Sequence, residues 1–161
     1  MAGGSRTIPI PESPSNEKLL FLRENMVHLT NQLTMPVIEV ALVIAKFIRI
    51  VLDSLHNVAE ISGEELPSAL LEPNPLDSAI ANEATRAGLE SFPLENLIDR
   101  VDRDRMEILD TLIRTILNES QLEFFLALEE LRAWESVIRE QLSKVTSPGG
   151  LYSPLELRED F

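Results

Sequence analysis

The chain has 161 residues, 44% of them apolar and 5% aromatic, and its 27 acidic and 14 basic residues give a net charge of −13. This length suits one domain with a sizeable core. The negative charge argues against binding to nucleic acid or anionic lipid, and it leaves a basic partner possible. The chain contains no cysteine, which excludes disulfides and thiol chemistry and fits an intracellular protein, either cytoplasmic or nuclear.

The distribution of prolines and apolar residues predicts three parts. Residues 1–15 contain three prolines and no apolar core, so we expect a flexible N-terminal arm without a secretory signal. Residues 16–146 carry helical patterns and predict a helical bundle domain, with a proline-rich connection at 62–76. Residues 147–161 begin with the sequence Ser-Pro-Gly-Gly and predict a C-terminal tail.

An uninterrupted pattern of apolar residues predicts the first helices. Spacings of three and four alternate through Leu19, Leu22, Met26, Leu29, Leu33, Pro36, Val40, Val43, Phe47 and Ile50. This pattern is typical of helices that pack lengthwise on one another. Because neither Gly nor Asn flanks Pro36, we expect a kink or a near-collinear junction there, or else a second helix capped by Thr34.

The segment from Val37 to about Ile61 is apolar around most of a helical wheel. Its charged residues form one narrow stripe, which we expect to face water: Glu39, Lys46, Arg49 and Asp53. A helix with so thin a polar stripe belongs at the centre of a bundle or in an oligomer interface. Ser62 and Gly63 are expected to end it.

The second half of the chain predicts a short helix over 77–89 and two long helices over 94–117 and 121–145. Residues 118–120 are expected to form the corner between the long helices, with Ser120 and Glu123 as a capping box. Ser120→Ala would then cost about 1 kcal/mol. The fold class is therefore all-α, an elongated helical bundle of about four main helices with heptad-like seams.

Arg105 stands out because it falls in the middle of an apolar stripe, between Val101 and Ile108. Its guanidinium can reach past its neighbours into water. Alternatively, it pairs with a carboxylate on a facing helix. Glu135 is the candidate for that register pair, because it also interrupts an apolar stripe.

Two helices carry more apolar surface than one bundle needs. The residues concerned are Val40, Val43, Phe47 and Ile50 in the central helix, and Leu122, Phe125 and Leu126 at the start of the last one. Excess apolar surface usually marks an interaction site. We therefore expect a non-enzymatic interaction or assembly protein, self-associating as a homo-oligomer or bound to a helical partner, with no cofactor.

Two other functions stay open at this stage. Asp53, His56 and Glu60 lie one turn apart, so they are weak candidates for metal ligands in a helical-bundle enzyme. A membrane-surface or pore-forming protein that exposes residues 37–55 is the second alternative. Charged residues interrupt this stretch, which disfavours a membrane span. No nucleotide-binding or nucleophile motif occurs.

Overall fold

The computed structural model describes residues 7–73, 100–158 and 161. Over these residues the fold is all-α, as predicted, without a β-strand. Its elements are α1 (Ser15–Gln32), α2 (Val37–Ser62), the single turn α3 (Ser68–Leu71), α4 (Arg103–Ser120), α5 (Phe124–Ser143) and a 3₁₀ turn (Pro148–Tyr152). The helix predicted over 77–89 and the start of that predicted over 94–117 lie outside the described residues.

Local sequence explains where the helices begin and end. Gly63 adopts the left-handed conformation, with φ of 71°, and ends α2 as predicted. The Asp102 side chain accepts hydrogen bonds from the backbone N–H groups of Asp104 (3.0 Å) and Arg105 (3.2 Å). Asp102 is thus an N-cap that satisfies two otherwise unpaired donors and begins α4.

The corner between α4 and α5 lies three residues later than predicted, and the capping box is wrong. Ser120 is buried in the last turn of α4, where its hydroxyl donates to the Ile116 carbonyl at 2.6 Å. Gln121 takes the left-handed conformation and ends the helix, and Glu123 precedes α5 without a capping hydrogen bond from its side chain. Serine can bond back to its own helix as well as cap the next one, which the sequence pattern does not distinguish.

Two hydrogen-bonded ion pairs between α2 and α4 show the relative direction of these helices. Glu39 of α2 accepts from Arg105 of α4, and Lys46, two turns further along α2, pairs with Asp110, further along α4. Residue numbers increase together on both helices, so α2 and α4 run in the same direction. The most extensive helix packing is α2 on α5, followed by α1 on α4.

The direction of α1 follows from the two ends of α4. The N-terminal end of α4 lies beside the start of α2, because the Asp102 N–H donates to Glu39. Its C-terminal end lies beside the start of α1, because Ser15 donates to Glu123 at 3.0 Å. Helix α1 therefore runs opposite to α4, and also opposite to α2.

The chain consequently reverses between α1 and α2, so the expected kink or near-collinear junction is wrong. Thr34 adopts φ of 49° and provides the left-handed residue that Gly or Asn would normally supply. Pro36, rather than Thr34, directly precedes α2. Such a backbone costs a β-branched residue on the order of 1–3 kcal/mol, and hydrogen bonds from Thr34 and Met35 back to α1 stabilise it.

The core forms where α2 meets the other long helices. Trp134 of α5 is its largest fully buried side chain, and most other members are aliphatic. The buried residues of α2 are Val37, Ile38, Glu39, Val40, Val43, Ile44, Phe47, Ile48, Val51 and Ala59. Because α2 is buried on more than one side, it is the central helix that its thin polar stripe predicts.

Residues 147–158, predicted as a tail, are bound to the bundle. The Val37 N–H donates to the Ser153 carbonyl at 2.8 Å, and the Leu155 N–H donates to the Met35 carbonyl at 2.9 Å. Leu155 is itself buried and joins the core. This C-terminal segment therefore covers the α1–α2 junction and supplies partners for backbone groups that the reversal leaves outside a helix.

The expected flexible arm is also partly fixed, since residues 7–14 lie against α1. Lys18 is 3% exposed, and its ammonium donates to the Pro11 carbonyl at 2.8 Å. A buried ammonium needs such acceptors. The turn that presents this carbonyl is closed by a hydrogen bond from the Ser13 N–H to the Ile10 carbonyl.

Phe47→Ala should lower the free energy of unfolding by about 3–5 kcal/mol, because Phe47 is 3% exposed and its removal leaves a cavity. Ile50→Ala is the matched control on the same helix. Ile50 is 42% exposed, so its loss should cost under about 1 kcal/mol. Urea denaturation measures both values. Equal losses would contradict the assignment of these two positions to core and surface.

Candidate partner-binding groove

Most of the residues predicted to bind a partner are inside the protein's own core. Val40, Val43, Phe47 and Leu122 are buried, and Leu126 is half-buried, so these positions do not form an open apolar face. The expectation failed because α4, α5 and the C-terminal segment cover more of α2 than the sequence suggested. Ile50 and Phe125 remain exposed, at 42% and 48%.

An open groove of about 590 Å³ nevertheless lies between α2 and α4. Leu42 and Met106 line its apolar part, together with Val43, which is 3% exposed. The α4 side is a straight stripe along one face of that helix: Arg103, Met106, Glu107, Asp110, Thr111 and Arg114. This stripe covers three turns, or about 16 Å of helix.

Charged side chains surround the apolar part of this groove. Asp110 of α4 pairs with Lys46 across the groove and accepts from Arg114 at 3.0 Å on its own helix. Both cations also lie near the Phe47 ring, with Lys46 at 5.9 Å and Arg114 at 5.8 Å from its centroid. Three cations and two carboxylates line the groove, so its net charge is positive although that of the chain is negative.

These contacts change the acidity of Asp110. Partial burial acts to raise the pKa of its carboxyl, but the hydrogen bonds and charges of Lys46 and Arg114 together outweigh burial and leave the pKa below its usual value. Asp110 is therefore ionised in the folded protein at neutral pH, and it holds both cations at the edge of the groove.

Beside the groove, a buried carboxylate joins the same two helices. Glu39 is 0% exposed and accepts from Arg105 twice, at 2.9 and 2.8 Å, and from the Asp102 N–H at 3.0 Å. The hydrogen bond to Glu39 raises the pKa of the Arg105 guanidinium. The expectation that Glu39 faces water is wrong, because α4 begins directly against this turn of α2.

The partner assigned to Arg105 is also corrected. Arg105 does pair with a carboxylate on a facing helix, but that carboxylate belongs to Glu39 and not to Glu135. Glu135 bonds to Arg132 on its own helix at 2.9 Å. Glu39 could have been found from the sequence, because it is the one charged residue in the run from Met35 to Ala45.

A second buried carboxylate, which the sequence analysis missed, joins α1 to α5. Glu130 accepts from Arg23 twice, at 2.9 and 2.8 Å, and from the Trp134 indole N–H at 2.9 Å. Phe161 lies over the Arg23 guanidinium at 4.8 Å and meets the Trp134 ring edge-on at 5.0 Å. Every polar member is thus paired, as burial requires, and the cluster has a structural role.

The metal-ligand candidates Asp53, His56 and Glu60 all lie on the exposed side of α2, near its end. Across residues 7–73 and 100–158, no group of three or more His, Cys, Asp or Glu side chains is arranged to hold a metal ion. Within the described residues, no facing helix therefore adds a ligand to Asp53, His56 and Glu60 to complete a metal site.

None of the helices that the structure describes combines the length and the apolar character needed to cross a bilayer.

Comparison with known proteins gives no relative. No protein-family model, curated protein or solved structure matches this chain.

Replacing Arg105 by Met should destabilise the fold by about 3–5 kcal/mol, since Glu39 keeps its buried charge without its main partner. The double variant Glu39→Met with Arg105→Met should recover most of that loss, because an apolar pair needs no desolvation of charge. Thermal and urea unfolding of the single and double variants decide the outcome. Additive losses would show that the two side chains do not interact.

The lowered pKa of Asp110 predicts that the stability of the fold depends on pH. Its folded pKa is lowered, so its contribution is present above the unfolded value and is lost as the pH falls below about 4. The difference in Tm between wild type and Asp110→Asn should therefore shrink on acidification. Asp53→Asn, which changes an exposed carboxylate of α2, is the control. A constant difference for Asp110→Asn would contradict the ion-pair assignment.

Proposed function

We propose that the protein is a non-enzymatic interaction protein that binds a helical segment of another polypeptide chain in the groove between α2 and α4. The observation that supports this most directly is the shape of the groove. It is open, has an apolar part between charged edges, and is about three turns long on its α4 side. A helix docks in such a groove through apolar residues on one of its faces.

The dimensions favour a helix over a small molecule as the occupant. A helix is about 10 Å wide with its side chains, and three turns cover about 16 Å. The lining residues Leu42 and Met106 can contact apolar side chains spaced three or four positions apart on an incoming helix. Thr111 extends the α4 wall by a further turn beyond Glu107.

The groove is also held in a fixed shape before any partner arrives. Glu39 with Arg105 and Lys46 with Asp110 join its two walls at points two turns apart on α2. A preformed site loses less conformational entropy on binding than one that must assemble. This rigidity supports recognition as the function of the groove.

The start of α5 provides a second exposed apolar surface. Phe125, predicted as part of an interaction face, is 48% exposed, and Phe124 beside it is 50% exposed. Aromatic side chains are enriched where protein surfaces meet. We propose these two phenylalanines as an additional contact in a homo-oligomer, in which the 13 excess negative charges would oppose association until salt screens them.

The groove proposal predicts binding of an amphipathic helical peptide with an uncharged polar face. Met106→Glu should weaken that binding at least about tenfold, because a carboxylate would be buried against the apolar face of the peptide. Leu20→Glu places the same charge at an exposed position of α1 and is the control. Fluorescence anisotropy measures the affinity, and thermal unfolding checks that both variants fold.

Self-association is measured in the same material by sedimentation at about 0.1 and 1 M salt, where the Debye length is about 10 and 3 Å. Failure of the neutral peptide to bind would contradict the groove proposal, and a monomer at both salt concentrations would contradict the proposed homo-oligomer contact.

A further inference from the structure

We infer that the segment recognised by the α2–α4 groove is an acidic amphipathic helix, with Asp or Glu side chains flanking an apolar stripe. The inference rests on the proposed function and assigns the chemistry of its partner. It is the opposite of what net charge alone suggests, because a chain of charge −13 would be expected to attract a basic partner.

The first argument is the local distribution of charge. Lys46, Arg103 and Arg114 line the groove against Glu107 and Asp110. Asp110 already bonds to both Lys46 and Arg114, so its single negative charge is shared between two cations. These two cations are about half exposed, at 51% and 53%, and each can donate a hydrogen bond to a further carboxylate on a partner.

The second argument is the position of Arg103. It is the first residue of α4, where the helix dipole favours a negative side chain and disfavours a positive one. The residues that the structure describes offer it no ion pair or hydrogen bond. A cation that is placed against the dipole, is exposed at the groove and has no bond to any residue of 7–73 or 100–158 is more useful to a binding partner than to the fold.

The third argument concerns distance. At physiological ionic strength the Debye length is about 8 Å, so charges elsewhere on the surface are largely screened from a ligand seated in the groove. A carboxylate at the groove edge therefore responds mainly to the charges that line the groove, where three cations outnumber two carboxylates. An apolar stripe on the same helix would contact Leu42 and Met106, which a polyanion such as nucleic acid would leave uncovered.

The inference is tested with three peptides of about 18 residues, or about 27 Å as a helix. They share one apolar face and differ only in a polar face built from Glu, Gln or Lys. We expect the Glu peptide to bind the full chain about tenfold more tightly than the Lys peptide at about 0.1 M salt, with the preference reduced at about 1 M.

The charge assignment is tested on Arg103→Glu, which should remove most of the preference for the Glu peptide while leaving the Gln peptide bound. Lys144→Glu changes the net charge equally on an exposed residue at the far end of the chain, after α5, and should leave the preference intact. Circular dichroism confirms that both variants fold.

The outcomes separate the two proposals. Equal binding of the Glu and Lys peptides, or a Lys preference, would overturn the acidic partner while the groove function stands. If none of the three peptides binds, both proposals fail. If the chain alone forms a dimer that Met106→Glu dissociates, a second copy occupies the groove and the assignment of an acidic partner is overturned.

Discussion

A carboxylate that water cannot reach needs hydrogen-bond donors from the protein itself. Glu39 is such a carboxylate, and the arrangement of the helices depends on supplying its donors. Its oxygens take the Arg105 guanidinium and the Asp102 N–H, so the beginning of α4 must lie against the beginning of α2. Helix α4 can then reach Lys46 through Asp110. The parallel alignment of these helices, and with it the groove between them, depends on satisfying this one buried charge.

Arg23 with Glu130 repeats the arrangement between α1 and α5. Aliphatic faces pack adequately at several relative heights, whereas a bidentate pair has one acceptable position. Replacement of such pairs by apolar residues is often neutral or stabilising, so their main effect here is to choose one helix alignment among several. The aliphatic core supplies most of the free energy of folding. The two carboxylates fix the alignment of the helices and therefore determine which surfaces are exposed.

The sequence predicted what repeats along a helix and failed where contacts link distant residues. Helix α2 was placed within a residue or two. Of the seam residues of α2, Val40 and Phe47 are buried as predicted, whereas Ile50 is exposed and its assignment to the seam is wrong. The reversal at Thr34 was missed because propensity disfavours a left-handed threonine. The local pattern wrongly predicted that Glu39 faces water, because its burial depends on α4, which lies more than 60 residues later in the chain. The groove was not foreseen, since its walls are separated by about 60 residues.

The C-terminal segment bonded to Met35 and Val37 has a consequence for synthesis on the ribosome. The α1–α2 junction is made early, yet the residues that satisfy its backbone are made more than 110 positions later, up to Leu155. Contacts so distant in sequence slow folding, because the loop must close before they stabilise anything. The nascent chain therefore carries an unfinished junction until Leu155 has been synthesised, with apolar surface of α2 open to chaperones during that interval.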